Sequence, residues 1–378
     1  MRTLFDKIID YNNIWIAWKK VENYTRYQDF PDDYGLSLFR YALEGNIHTI
    51  RKKLIVGEYD FQPVRYYFTA KRNNSLRLET VSSIFDRVFI QSIFNHVGYY
   101  IFQKKVIDEK ICVAYKYMPP NYRWMYSYWK NDYQEWLRSI EGSGALGFKY
   151  CLHTDLRSYF HSIDRKRLLE IIANVLQEGR LINLVEKFFN YSFYDDSIIK
   201  KSINGLAIAE PLSRLMGNVY LAEFDRFVTK EQRWRYMRYM DDMLFFAYSE
   251  EECNEIKRIV SKYLNTELNL FINDDKTEVT KTEQLLDDKG KSFARKLSIL
   301  EQKTAQVIAK DSNRNELLEA LYRLLQGTDS EFANPAAKNR GQRFAAWRLA
   351  KLGEEESLEG IKKLGYMQSK VGNHPIIM

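Results

Sequence analysis

The sequence predicts a mixed α+β protein in which helical regions flank a compact region of short strands. Apolar residues recur at helical spacing through most of the first 56 residues and again beyond residue 284. Between residues 148 and 281, short apolar runs rich in β-branched and aromatic residues indicate strands. A chain of 378 residues with 45% hydrophobic content can bury cores in two or three such regions.

The first part of the chain is expected to contain helices followed by a hairpin. Helical periodicity covers Leu4–Val56 and is interrupted by a turn signal at Pro31. Residues 59–81 alternate apolar and polar side chains, and Asn73-Asn74 marks the turn of a basic hairpin. Helical periodicity resumes over Ser83–Phe102.

A segment dense in tyrosine and tryptophan, residues 115–136, has two interpretations. Its rings are interleaved with Lys116, Arg123 and Lys130, which favours a stacking platform for nucleic-acid bases. An amphipathic helix that packs the same rings into an interface explains the pattern slightly better. The glycine-rich stretch Gly142–Gly147 that follows is expected to be a joint.

Composition limits the classes of partner and compartment. A net charge of +7 and an aromatic content of 15% are compatible with a polyanionic partner. Three scattered cysteines, without a CxxC or Cys/His cluster, indicate neither a disulfide framework nor a zinc site. The apolar runs are too short for a signal peptide or a membrane span, so we expect a cytoplasmic protein with no membrane partner.

Two acidic segments carry the candidate chemistry. The apolar runs around Asp241 and Asp242 predict a β-hairpin with both carboxylates at its tip, although aspartate also favours turns for backbone reasons alone. Residues 148–156 predict a buried strand whose polar end is Asp155. If the strands are neighbours, three carboxylates converge, and two Mg²⁺ ions held by them could clamp the oxygens of a phosphoryl transfer.

These segments resemble the motifs of reverse transcriptases, in the family's order. Asp155–Phe160 (DLRSYF) resembles motif A, and Tyr239–Asp242 (YMDD) resembles motif C. Gly205–Arg214, continuing to Asp225, resembles motif B, and Leu268–Thr277 resembles motif D. Short stretches within 17–21, 57–63, 71–77 and 86–91 resemble the family's fingers blocks, so the resemblance spans roughly residues 15 to 280.

The resemblance implies a right-hand polymerase with α-rich fingers, an antiparallel-sheet palm and a helical thumb. Fingers would occupy residues 1–147, including an aromatic-rich connection at 107–147. The palm would occupy 148–283, with part of 83–106 also packing against it, and the thumb would occupy 284–378.

The resemblance also implies a catalytic centre. Asp155, Asp241 and the Leu156 carbonyl would hold Mg²⁺, or Mn²⁺ in its place, with Asp242 as a weaker ligand. Lys276 would lie near the pyrophosphate and act as the general acid. An exposed cation that merely follows a strand is the alternative for Lys276.

A second group of residues would bind the incoming nucleotide. Lys71 and Arg77 would contact the triphosphate, although basic residues on a hairpin are common. Backbone amides near Ser158 and Tyr159 would cradle the phosphates. Phe160 occupies the steric-gate position and would favour deoxynucleotides, unless it is simply a core aromatic.

Departures from the family's pattern narrow the resemblance. Ala207-Ile208-Ala209 stands where many members have Pro-Gln-Gly, which puts template reading in doubt. Retron signatures and a maturase or endonuclease extension are absent from this sequence. The chain thus resembles bacterial defence-associated and abortive-infection reverse transcriptases, rather than retron or group II intron enzymes, and an associated noncoding RNA is implied.

The expected function is RNA-directed or template-relaxed DNA synthesis by two-metal nucleotidyl transfer in antiphage defence. The expected partners are dNTPs, a noncoding RNA, the DNA product, and a protein partner or second copy of the chain. Basic residues within 334–353 would touch the template-primer backbone, or form a solvated helix face. The alternatives are a catalytically silent nucleic-acid-binding protein and a palm-fold RNA polymerase or cyclase.

Overall fold

The computed structural model of the chain describes residues 2–25, 32–70, 76–195, 198–202, 204–207, 210–230, 233–288, 300, 303–304, 314–328 and 335–354. The chain divides into two compact units. The first comprises Met1–Phe68 and Leu78–Leu285, and the second comprises Thr69–Arg77 and Leu286–Met378. None of the described helices is both long and apolar enough to span a membrane.

Helices form the N-terminal part of the first unit, as predicted. They are α1 (Leu4–Ile8), α2 (Tyr11–Thr25), α3 (Asp33–Tyr41), α4 (Leu43–Val56) and α5 (Ile84–Gln103). Side-chain caps at Thr3, Asp32 and Ser83 begin three of them, because each oxygen accepts an otherwise unpaired backbone N–H. Apolar faces of α2 and α5 pack against each other in the main core.

The predicted hairpin is present as β1 (Arg65–Ala70) and β2 (Leu76–Val81), and its turn lies outside the described residues. The aromatic segment is mostly irregular: helix α6 begins only at Trp129 and continues to Ala145. The prediction of a joint at Gly142–Gly147 is therefore wrong for Gly142 to Ala145, which belong to helix α6. A Cβ at Gly142 would lie 3.7 Å from the Arg235 side chain, an ordinary contact distance, so the packing of this helix does not require glycine there.

A four-stranded antiparallel sheet with strand order β6-β7-β3-β8 organises the first unit. Its strands are β3 (Tyr150–Thr154), β6 (Arg235–Tyr239), β7 (Asp242–Ala247) and β8 (Glu278–Lys281). A separate two-stranded sheet is formed by β4 (Ser192–Asp195) and β5 (Ile198–Lys201). This mixture of helices and an antiparallel sheet confirms the predicted α+β class. The assignment of regions to fingers, palm and thumb stays a prediction.

Helices and one 3₁₀ turn accompany the sheet: α7 (Tyr159–Ser162), α8 (Arg165–Leu176), α9 (Gly179–Phe189), α10 (Pro211–Tyr220), α11 (Ala222–Lys230), α12 (Glu250–Leu268), the turn Asp274–Lys276 and α13 (Thr282–Asp288). Helix α12 packs on β3 and β7. The three cysteines are buried, as expected for small apolar side chains.

The second unit contains α14 (Arg314–Gln326) and α15 (Pro335–Lys351), which pack together. Leu317 and Leu321 of α14 share a small core with Ala345 and Leu349 of α15. Trp347 of the same helix is 42% exposed. Most basic side chains of this helix lie outside the described residues, so both interpretations of the basic stretch stay open.

Candidate active site at the end of the central sheet

The acidic hairpin differs in one respect from its prediction. Strands β6 and β7 pair antiparallel, and Tyr239 pairs with Asp242. The two-residue turn is therefore formed by Met240 and Asp241, and the expectation that both carboxylates lie at the tip is wrong for Asp242. Met240 adopts a φ of 58°, in the left-handed region that non-glycine residues rarely enter.

Asp155 lies at the same end of the sheet as this turn. Strand β3 pairs with β7, and the last pair of that register is Thr154 with Met243. Beyond this pair, at the same end of the sheet, Asp155 follows Thr154 and Asp242 precedes Met243. The predicted adjacency of the two strands is confirmed, and it brings three aspartates to one end of the sheet.

The three carboxylates have different surroundings. Asp155 forms an ion pair through Oδ2 with Lys276, while its buried Oδ1 has no hydrogen-bond partner in the described part of the chain. Asp242 Oδ1 lies 2.6 Å from His153 Nε2. The pKa of Asp241 is raised to about 6, chiefly by burial; its own backbone amide and Lys276 act to lower this pKa, and the neighbouring Asp155 and Asp242 act to raise it.

His153 was not predicted as a site residue. It lies on β3 between two carboxylates, with Nδ1 3.5 Å from Glu278 on the neighbouring strand. Strand alternation places His153 and Asp155 on one face of the sheet, and this period-two spacing is the signal that could have identified it.

The three carboxylates supply the type of oxygen ligand that a hard divalent cation prefers. Among the described residues, no group of three His, Cys, Asp or Glu side chains is arranged as a metal site. Lys276 and His153 occupy oxygens of Asp155 and Asp242. The unpartnered Oδ1 of Asp155 is nonetheless a buried acceptor that a cation could satisfy.

Leu156, the expected carbonyl ligand, lies beside Ile272 in an isolated antiparallel bridge. The flanking backbone hydrogen bonds are donated by Arg157 to Phe271 and by Asn273 to Asp155. In an antiparallel pair, this pattern directs the peptide groups of the residue between them away from the partner strand. The Leu156 carbonyl is thus not used in this bridge.

The predicted nucleotide-binding residues after Asp155 form a tight turn. Ser158 adopts a φ of 46° and begins the single-turn helix α7. Tyr159 is buried, and its hydroxyl donates to the Gly217 carbonyl at 2.6 Å. Phe160 is partly buried, and a Cβ placed on Gly217 would lie 3.3 Å from its ring.

The motif B glycine fixes this turn against α7. The amide of Leu206 donates to the Phe160 carbonyl at 2.8 Å, and Gly205 donates to Ile163 at 3.2 Å. Gly205 has a φ of 72°, and a Cβ there would lie 2.4 Å from the Phe160 carbonyl oxygen. Only glycine fits this close approach. Of the other predicted phosphate ligands, Lys71 and the side chain of Arg77 lie outside the described residues.

A buried polar network beneath the hairpin was also missed. Arg238 of β6 is fully buried and donates to both oxygens of Asp225 at 2.8 Å. It also donates to the Asn218 side chain at 2.7 Å and to the Met240 carbonyl at 3.1 Å. The network therefore ties α10 and α11 to the turn that carries Asp241. A charged residue inside the apolar run RYMRYM is the signal that could have revealed it.

A comparison with known protein families agrees with the motifs that lie at this end of the sheet. Residues 84–308 match the family described as reverse transcriptase (RNA-dependent DNA polymerase). The chain belongs to this family, which confirms at family level the predicted enzyme class, an RNA-directed DNA polymerase and thus a nucleotidyltransferase.

Individual relatives are distant. The group II intron-encoded protein LtrA of Lactococcus lactis subsp. cremoris is 24% identical over 216 residues, which cover 57% of this chain and 33% of that protein. Protein YkfC of Escherichia coli (strain K12) is 19% identical over 286 residues, covering 66% of this chain and 71% of that protein. A partial Cas6-RT-Cas1–Cas2 complex aligns with a TM-score of 0.40 and 18% identity, covering 70% of this chain and 43% of that chain.

The chain spans about a third of the length of the intron-encoded relative. The predicted distinction from group II intron enzymes stays a prediction, as does the predicted defence subfamily.

Proposed function

We propose that the chain is a DNA polymerase that uses an RNA template and divalent cations to join deoxynucleotides. The observation that carries this proposal is the convergence of Asp155, Asp241 and Asp242 at one end of the sheet, with an unpartnered Asp155 oxygen among them. Family membership supports the choice of template and product.

The chain's own residues would each perform a defined step. Asp155 and Asp241, with the Leu156 carbonyl and more weakly Asp242, would hold two Mg²⁺ or Mn²⁺ ions, which supply charge neutralisation and activate the attacking hydroxyl when bound. Lys276, now paired with Asp155, would be released toward the leaving pyrophosphate and donate a proton there.

Nucleotide selection would depend on the turn after Asp155. The backbone near Ser158 and Tyr159 would bind the phosphates, and Phe160 would exclude a 2′-hydroxyl. Lys71 and Arg77 would neutralise the triphosphate. In this proposal residues 1–147 act as fingers, 148–283 as palm and 284–378 as thumb.

The biological role we propose is antiphage defence with an associated noncoding RNA. The altered motif B, beginning at Ala207, supports relaxed use of the template, because a glutamine amide expected near the nucleotide is absent. A protein partner or a second copy of the chain would complete the assembly.

Primer extension tests this function. Purified protein, a primed RNA template, Mg²⁺ and dNTPs should give DNA, whereas the variant Asp241→Ala/Asp242→Ala should give none. Glu170→Ala, which removes an exposed carboxylate paired with Arg167 on α8, should retain activity. Equal product from the wild type and the double variant would refute the proposal.

A silent nucleic-acid-binding protein is the second candidate, because Asp155 and Asp242 are already paired with Lys276 and His153. Binding of the primed template without any incorporation of dNTPs by the wild type would favour this candidate.

A further inference from the structure

An arginine near the sheet lies among tyrosines instead of beside a carboxylate. Arg214 of α10 donates to the Tyr24 hydroxyl at 3.2 Å. Its guanidinium lies 4.8 Å from the centre of the Tyr115 ring, and that ring in turn contacts Tyr126 at 5.3 Å. We name these four residues the Arg214 cage.

The positive charge of the cage is not compensated within the described part of the chain. No ion pair among the described residues includes Arg214, and the ionisable groups that act on its guanidinium are Tyr24, Tyr115 and Tyr126. Burial raises the pKa of Tyr126 well above its ordinary value, so the ring stays neutral at pH 7. A partly buried cation without a counter-ion favours an anionic ligand.

A second cation strengthens this field. Arg87 of α5 is 6% exposed, and its guanidinium lies 5.8 Å from the centre of the Tyr24 ring. Two arginines therefore contact one tyrosine whose side chain is only partly buried. Arg214, Tyr115 and Tyr126 are also partly accessible, so a ligand can approach the cage.

The cage adjoins the acidic hairpin. The Tyr115 ring lies 6.3 Å from that of Tyr239, the residue that pairs with Asp242 across the turn. The Tyr126 hydroxyl donates to the Pro211 carbonyl at the start of α10, which orients the ring beside the motif B helix. An anion in the cage would therefore lie one aromatic ring away from the proposed site of synthesis.

We propose that the Arg214 cage binds a backbone phosphate of the nucleic-acid strand on which the enzyme works, an inference that rests on the proposed function. Guanidinium groups pair with phosphate oxygens through two parallel hydrogen bonds, and tyrosine rings and hydroxyls stack on bases or donate to phosphates. A strand phosphate and a nucleotide triphosphate share this chemistry, so the experiment separates the two sources.

Salt-dependent binding tests the cage. A fluorescent DNA primer annealed to an RNA template is titrated with protein at several salt concentrations, without dNTPs. Arg214→Gln should weaken binding roughly tenfold. It should also make the slope of log K against log salt shallower by about 0.7 to 0.9, as expected for one lost phosphate contact.

Two further variants control for charge and for folding. Arg214→Lys keeps a point charge and should keep the wild-type slope. Arg233→Gln removes an arginine already paired with Glu255 at 3.4 Å, and should leave the slope unchanged. Unchanged slope in Arg214→Gln would overturn the proposal and leave the cage a packing device.

The remaining outcomes distinguish a strand phosphate from a nucleotide triphosphate as the ligand, and they distinguish failure of the cage proposal from failure of the proposed function. A raised KM for dNTPs in Arg214→Gln, with an unchanged slope for the duplex, would assign the cage to the triphosphate and overturn the strand assignment. Wild-type protein that binds the duplex through Arg214 but makes no DNA would refute the proposed function while supporting the cage. Wild-type protein that does not bind the duplex would refute both.

Discussion

Replacing Arg238 with methionine removes the centre of the buried network beneath the Met240 turn. The Arg238 guanidinium donates twice to Asp225, and also to Asn218 and Met240. Methionine occupies part of the same volume but donates no hydrogen bond. Asp225, at 2% exposure, would then keep only the Tyr236 hydroxyl as a side-chain donor among the described residues.

The expected loss is large because one charge is left unpaired. Removing one partner of a buried ion pair costs about 3–5 kcal/mol, so the free energy of unfolding of Arg238→Met should fall by that amount. A second variant, Arg238→Met/Asp225→Leu, removes both charges and should recover most of the loss.

Urea unfolding followed by tryptophan fluorescence measures this difference. Trp347 alone of the seven tryptophans belongs to the second unit, so the signal reports mainly on the first. The control Arg233→Met removes an exposed arginine and should change the free energy by less than about 0.5 kcal/mol. The reasoning is refuted if Arg238→Met costs less than about 1 kcal/mol, or if the double variant is no more stable than the single one.

Three other predictions concern the turn, the gate and a buried acid. Gly205→Ala should lower the free energy of unfolding by more than about 2 kcal/mol, because the new methyl meets the Phe160 carbonyl at a φ of 72°; calorimetry should show Gly179→Ala, in open space, unaffected. Gly217→Ala presses on the Phe160 ring from 3.3 Å and should raise the KM for dNTPs by up to about tenfold, so unchanged kinetics for both dNTPs and ribonucleotides would count against the gate. Burial raises the pKa of Asp86 to about 6 from 3.8, so its contribution to stability is most favourable below pH 4 and is lost as the pH rises through 6. The difference in unfolding free energy between wild type and Asp86→Asn should therefore shift by about 2 kcal/mol toward the wild type between pH 7 and 4, and a constant difference would contradict this.

The hairpin and the strand before Asp155 could be predicted because their signal is local. Alternating apolar residues indicate strands at any position, and β3 and β7 prove to be neighbours. The exact turn was not predicted, since glycine or asparagine is the usual sign of a tight turn and Met240 is neither. The Arg238 network beneath the turn holds the Met240 carbonyl, and that support is a tertiary contact.

Other residues escaped prediction because their partners are distant in sequence. His153 meets Asp242 across 89 positions, and Arg214 meets Tyr24 across 190. The helix through Gly142 and Gly144 was missed because glycine has a low helix propensity and usually indicates a break in a helix.

Binding of Mn²⁺ measured by electron paramagnetic resonance tests the central claim, that the three aspartates form a divalent-cation site. Wild-type protein with a dNTP should bind Mn²⁺, and Asp155→Asn and Asp241→Asn should each weaken that binding strongly, while Glu170→Gln should not. Equal Mn²⁺ affinity in the wild type and both aspartate variants would contradict the account.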